Sequence, residues 1–250
     1  MTLSTVSRPK AQTLTATGGA VADFPDYKSG VIYRVHTFST SGDFGVTSGE
    51  GVVEYLIQAG GGGGGGQSSG SFGGSRGGGA GGFLQGAHLA SSAEDVGSGA
   101  GVYPVAVGAG GNGGGTGGQQ GADGGNSSVF GFTAVGGGGG GGNATTAGRN
   151  GGSGGGGAPS GLGTVGQGLT PRSASNTGGG GLSITSEFSG APFLYARGGI
   201  GGSRSNFGTG SVQSLYGAGG NGARTENNAA VGSTGGPGIV HVRYVLRLIG

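Results

Sequence analysis

Few residues in this chain could do acid–base, nucleophilic or metal chemistry. The histidines are His36, His88 and His241, and the acidic residues Asp23, Asp26, Asp43, Glu50, Glu54, Glu94, Asp95, Asp123, Glu187 and Glu226 are scattered along 250 positions. No second ligand stands at a metal-binding spacing from any histidine. His36 and His241 are flanked by apolar residues in strand-like segments, which suits satisfied or exposed strand positions. Glu94 and Asp95 are adjacent in a polar segment, where a carboxylate pair is ordinarily solvated. A glycosidase pair can lie far apart in sequence, but a chain this poor in large side chains has little with which to build a dry cleft. Cysteine is absent, so disulfides and thiolate ligands are ruled out. GxGxxG spacing recurs by chance at this glycine density, and neither Lys10 nor Lys28 follows a glycine, so a phosphate-binding GK[ST] loop is ruled out. The expectation is a protein that is not an enzyme, with no catalytic residue, no metal and no cofactor.

Arginine offers a different chemistry. Arg-Gly-Gly occurs at Arg76 and at Arg197, but 12 basic against 10 acidic residues leave a net charge of only +2. RNA-binding RGG segments depend on electrostatic attraction and stacking, so no nucleic-acid partner is expected. No apolar run is long enough to span a membrane and no secretory leader opens the chain. Membrane insertion is therefore not expected, and a role outside a cell implies another exit, such as assembly into a virus particle.

The elements that would position any functional group come in two textures. Residues 31–38 (VIYRVHTF), 52–59 (VVEYLIQA), 102–107 (VYPVAV), 129–135 (VFGFTAV), 182–188 (LSITSEF), 192–197 and 239–246 (IVHVRYVL) are rich in Val, Ile, Tyr and Phe and read as strands. None has a 3.6-residue period over a helical length. The other texture is glycine, 76 of 250 residues. Several strands empty into it, at residues 60–66, 108–118, 136–142, 198–202 and 217–222, and a polar segment follows each run.

Such a composition usually signals disorder, and ordering glycine costs more backbone entropy than ordering any other residue. Yet charged residues are only 9% and hydrophobic ones 32%, unlike a disordered chain. Glycine can instead adopt the polyproline II helix, with about 3.1 Å rise and three residues per turn. With no Cβ, such helices pack closely and bond to one another through their backbones. The fold expected is all-β: a small antiparallel β-sandwich with a packed polyglycine II helix sandwich and almost no α-helix. Residues 1–29, of different composition and holding both lysines, read as an N-terminal attachment arm; residues 30–250 read as the domain of interleaved strands and glycine runs.

Function then falls to the residues that interrupt the glycine. Residues 67–76 (QSSGSFGGSR), 119–123, 143–150 (NATTAGRN), 203–207 (SRSNF) and 224–230 (RTENNAA) hold Arg, Asn, Gln, Ser and an occasional Phe. Binding loops use that mixture, although Asn, Ser and Gly are also what reverse turns favour. The candidate receptor-binding residues are Phe72, Arg76, Asn143, Arg149, Arg204, Asn206, Phe207, Arg224 and Asn227; Phe72, Phe207, Arg204 and Arg149 lead them because aromatic and Arg side chains dominate binding hot spots.

The segments VVEYLIQAGGGGGGG, VYPVAVGAGGNGGG, SSVFGFTAVGGGGGGG and the closing GIVHVRYVL together resemble glycine-rich bacteriophage tail-fibre proteins over residues 30–250. The resemblance implies a fibre-tip adhesin on the virion, with distal loops meeting a host cell-surface receptor (glycan, lipopolysaccharide or outer-membrane protein) and with other fibre or tail proteins as partners. The alternative is a passive structural virion component, such as a fibre connector or capsid decoration, with no ligand of its own.

Overall fold

The computed structural model describes residues 14–70, 74–143, 146–157, 161–163, 167, 184–190, 193–195, 197–199, 201, 216–223 and 228–249. The strands are β1 (Thr15–Thr17), β2 (Ala20–Asp26), β3 (Val31–Phe38), β4 (Gly42–Ser48), β5 (Glu50–Gln58), β6 (Phe83–Ser91), β7 (Val102–Val105), β8 (Ser127–Val129), β9 (Phe132–Ala134), β10 (Ile184–Ser186), β11 (Phe193–Tyr195) and β12 (Ile239–Leu248). No α-helix occurs among the described residues.

Five strands make one antiparallel sheet in the order β2-β3-β12-β5-β6. The facing layer is the sheet β1-β4-β7, extended by the Ala106–Ser128 bridge to the β8–β9 hairpin. Between them lie Phe38, Phe44, Val53, Tyr55, Ile57, Tyr103, Val240, Val242 and Tyr244, all buried. The β10–β11 hairpin contributes to a second, smaller cluster, where Leu56 and Ile239 of the large sheet meet Phe188 and Tyr195. Strands β5 and β12 are therefore buried on both faces near the glycine end. That is why their sequences there run nearly continuously apolar.

Polar anchors hold the hairpin down. His241 is buried, with Nδ1 3.0 Å from the Thr37 hydroxyl and Nε2 3.1 Å from the Tyr195 hydroxyl. Burial pushes its pKa down to about 4. Burial also lowers that of His36, although the Gly18 carbonyl, 2.8 Å from His36 Nδ1, opposes the shift.

Three readings of the sequence meet different structure. Residues 129–135, read as one strand, are a hairpin that reverses at Phe130 and Gly131, with φ of 53° and 77°. Such a turn needs positive φ, and a Phe before the Gly hides the signal. Strands β4 and β6 leave little strand signal in the sequence, because GDFGVTS and FLQGAHLAS carry glycine and polar residues inside the strand. Within residues 1–29, β1 pairs with β4 and β2 pairs with β3, so the sandwich already includes Leu14 to Asp26.

The glycine runs form a lattice with threefold periodicity. In the central run the N–H groups of Gly60, Gly63 and Gly66 donate to the carbonyls of Gly125, Ala122 and Gln119. Those of Gly61, Gly64 and Gln67 donate to Gly236, Ser233 and Ala230, and those of Ala59, Gly62 and Gly65 to Gly82, Gly79 and Arg76. Falling partner numbers mark three antiparallel neighbours. The carbonyls of Gly60 and Gly63 accept from Gly137 and Gly140, those of Gly61 and Gly64 from Gly111 and Gly114, and those of Gly62 and Gly65 from Gly220 and Ala223. Rising numbers mark three parallel neighbours. The run at residues 59–67 is thus a polyglycine II helix ringed by six others, and every third residue repeats the same partner.

A Cβ built at any of residues 60–66 would sit far inside contact distance of a neighbouring backbone. Rim runs relax this requirement. Ala109 and Asn112 point outward at a three-residue spacing and are exposed. Where a neighbouring helix is missing, side chains supply the acceptor. The N–H of Gly136 donates to Asn126 Oδ1 at 2.9 Å and that of Gly139 to Asp123 Oδ1 at 2.9 Å.

Two outcomes follow from this packing. Gly63→Ala, whose methyl would meet the Asn112 carbonyl, is expected to cost about 3 kcal/mol or more in urea denaturation, whereas Gly117→Ala, with open space around it, is expected to stay within about 0.5 kcal/mol. Because His241 is depressed to about 4 from 6.5, the unfolded chain takes up its proton first as pH falls. Its contribution, about 3 kcal/mol, is present above pH 6.5 and lost between pH 6.5 and about 4. Denaturation midpoints across that window are expected to fall, and to fall less in His241→Gln.

Candidate binding surface at the end of the lattice

The runs joined to a described strand meet it at one end, so the reversals between them lie at the other; the run that returns from residue 143 instead turns back at residues 151–153, at the strand end, into a further ascending run. The central run follows β5 and turns away at residues 68–70, and the run that enters β6 bonds into the lattice from Ser75; the 108–115 run follows β7 and returns to β8 through residues 116–118; the 136–142 run follows β9. The reversals meet one another. Ser68 N–H and Oγ donate to Asn143 Oδ1 at 3.1 and 3.3 Å. Gln67 pairs with Ala230, Gln120 Nε2 donates to the Ala147 carbonyl at 2.6 Å, and a Cβ on Gly118 would strike the Asn143 side chain. Ser69, Gly70, Thr116 and Gly117 are exposed on the same end. Among the described residues this end is neutral and polar, built of hydroxyl and amide groups.

The candidate residues separate on this frame. Asn143 lies at the reversal, with φ of 49°, a left-handed conformation that Asn tolerates better than most residues. It closes the 136–142 run and fixes the next loop through Ser68. Arg76 is a correction of placement. It is only 7% exposed and sits in the descending run, where its N–H donates to Gly141 and its carbonyl accepts from Gly65. Burial lowers its guanidinium pKa. Arg149 lies on the lattice flank, where its backbone N–H donates to Gly139 and Nη1 pairs with Asp123 Oδ2 at 3.3 Å. Residues 119–123, read as a tip, belong mostly to a helix of the lattice, because Gly121 and Ala122 N–H groups donate to Gly140 and Asn112. Phe72, Arg204, Asn206, Phe207, Arg224 and Asn227 lie outside the described residues. Thr116 reaches this end from within a glycine run, outside every segment read as a tip, and the sequence gives no sign that Asn143 links two loops. A single polar residue between glycines carries no sequence signal of whether it ends a helix or interrupts one.

A cleft of about 410 Å³ between β2, β3 and the β10–β11 hairpin is lined by Phe24, Tyr27, Tyr33, Phe188 and Arg243 among others. The Arg243 guanidinium lies 4.3 Å from the Tyr33 ring centroid and 4.3 Å from that of Phe188, and its Nε donates to Glu54 Oε2 at 2.6 Å. Its charge is already committed, so this arginine clamps the hairpin to the sheet. Among the described residues no group of three His, Asp or Glu is placed to hold a metal ion.

Asp123 ties the flank together by accepting from Gly139 and from Arg149. Asp123→Ala strands the Gly139 N–H and is expected to cost about 1–3 kcal/mol, while Asp123→Asn, which keeps the acceptor, is expected to cost less than half of that in the same denaturation assay.

No curated protein sequence matches the chain. A family model described as a glycine-rich domain matches residues 38–245, from the last residue of β3 through the whole lattice into β12. With the match spanning most of the chain, including strands β4 to β11 and the lattice, the chain belongs to the glycine-rich domain family.

Proposed function

We propose that this protein is a receptor-binding module of a bacteriophage tail fibre, in which the polyglycine lattice is the rigid mount and the reversals at its far end meet the host surface. The observation that carries the reading is the gathering of separate reversals, from residues 68–70, 116–118 and 143, onto one neutral polar end tied by the Ser68–Asn143 bonds. A mount bonded at every turn loses little freedom when its loops bind, which lowers the ordering cost of recognition. Several fibres on one surface turn weak contacts into firm attachment. Hydroxyl and amide groups without charge suit a host glycan, whether alone or in lipopolysaccharide, and also suit polar loops of an outer-membrane protein.

A passive role as a fibre connector or decoration protein keeps one supporting observation: the exposed tip residues described, Ser69, Gly70, Thr116 and Gly117, are small. The purified chain is expected to slow adsorption of virions that carry it, and Thr116→Arg, at an exposed position, is expected to abolish the competition without moving Tm. Adsorption unaffected by the wild-type chain contradicts the adhesin reading and leaves the passive one.

A further inference from the structure

Beside β6, the outer strand of the large sheet, the sandwich opens into a cleft of about 370 Å³. Val96, Tyr103 and Phe130 form its apolar lining, and His88, Glu94 and Ser128 its polar lining. It lies on the flank of the strands, away from the loops at the lattice end. The cleft is at the low end of the range for ligand pockets, about 300–1,000 Å³.

The polar groups here are fixed but incompletely used. The Tyr103 hydroxyl donates to Glu94 Oε2 at 2.7 Å and accepts the Ser91 N–H at 2.8 Å, which locks the carboxylate in place. The His88 ring is stacked on Phe130, with centroids 4.5 Å apart at 18°. His88 Nε2 is buried without a hydrogen bond. It stands 3.7 Å from Glu94 Oε2, too far for a hydrogen bond. A buried polar atom left unsatisfied costs free energy and calls for a partner. A group that completes this arrangement must donate to the carboxylate and, on a small turn of the imidazole that uncovers Nε2, also meet that nitrogen, which is what a hydroxyl does.

The surroundings narrow the ligand further. Glu94 disfavours an anion. A cation held by aromatic faces is disfavoured too, because the faces do not converge on open space. One face of Phe130 is covered by His88, and its ring packs edge-to-face with Tyr103 at 5.1 Å and with Phe44 at 5.8 Å. What remains is a neutral ring with hydroxyls on its edge and C–H groups on its face. We propose that this cleft binds a saccharide ring, with one hydroxyl between Glu94 and His88, a second toward Ser128, and the C–H face against Val96 and the rim of Phe130. The site is independent of the loops at the lattice end and stands whether or not those bind a receptor.

The test is an NMR titration of the full chain with glucose, galactose and N-acetylglucosamine, and with tetramethylammonium as the cationic comparison. At least one sugar is expected to give saturable shifts at His88, Phe130 and Gly131. Glu94→Gln, which keeps an acceptor for the Tyr103 hydroxyl, is expected to weaken binding at least tenfold. Val96→Trp, which fills the mouth from a position 48% exposed, is expected to abolish it while leaving the spectrum of the sandwich unchanged. The proposal is overturned if none of the three sugars gives saturable shifts at these residues, if tetramethylammonium alone does so, or if both variants bind as the wild type.

Discussion

The structure depends on one constraint: two backbones can bond at the spacing found here only where no Cβ stands between them. Around the central run the absence of side chains lets six neighbours close in, and each glycine both donates to and accepts from adjacent helices. The energetics are finely balanced. Fixing a glycine costs roughly 0.5–1 kcal/mol more than fixing an alanine, and a satisfied hydrogen bond contributes about 0.5–1.5 kcal/mol net. Such a lattice holds only where it is nearly saturated. That explains why Asn126 and Asp123 supply side-chain oxygens to Gly136 and Gly139 at the place where a neighbouring helix is missing.

The sandwich and the lattice need each other. Strands β5, β7 and β9 launch ascending runs, and β6, β8 and β12 receive descending ones. The pairing of the strands therefore sets the order and direction of the helices beyond them. In return the lattice covers the end of the hydrophobic core, where Ala59 and Ala80 are fully buried. His241, Thr37 and Tyr195 close the other face by pinning the β10–β11 hairpin.

Much of this was legible in the sequence. Uninterrupted heptaglycine at residues 60–66 and 136–142 marks helices with little or no free face, while Ala109 and Asn112, three residues apart, mark a rim helix with one face open. The apolar strands could be read because β-branched and aromatic residues cluster in them. The hairpin at Phe130 could not, since an aromatic residue occupies the first positive-φ position of its turn, held there by packing against His88, Tyr103 and Phe44. Arg76 looked like a tip residue because a charged side chain beside glycine reads as exposed. Its backbone, however, occupies a lattice position between Gly65 and Gly141. The approach of Glu94 to His88 was equally hidden, because nothing in the spacing of residues 88 and 94 shows that a loop folds back over β6.

The central claim, that glycine here is an ordered scaffold, is tested most directly by amide hydrogen exchange resolved residue by residue. Residues 60–66 are expected to exchange as slowly as β5 and β12. On the rim the protection is expected to repeat every third residue: Gly111 and Gly114, bonded to the central run, slow, and Gly110 and Gly113, whose N–H groups have no partner among the described residues, fast. Uniformly fast exchange across residues 60–66 and 136–142 would contradict the lattice and everything built on it.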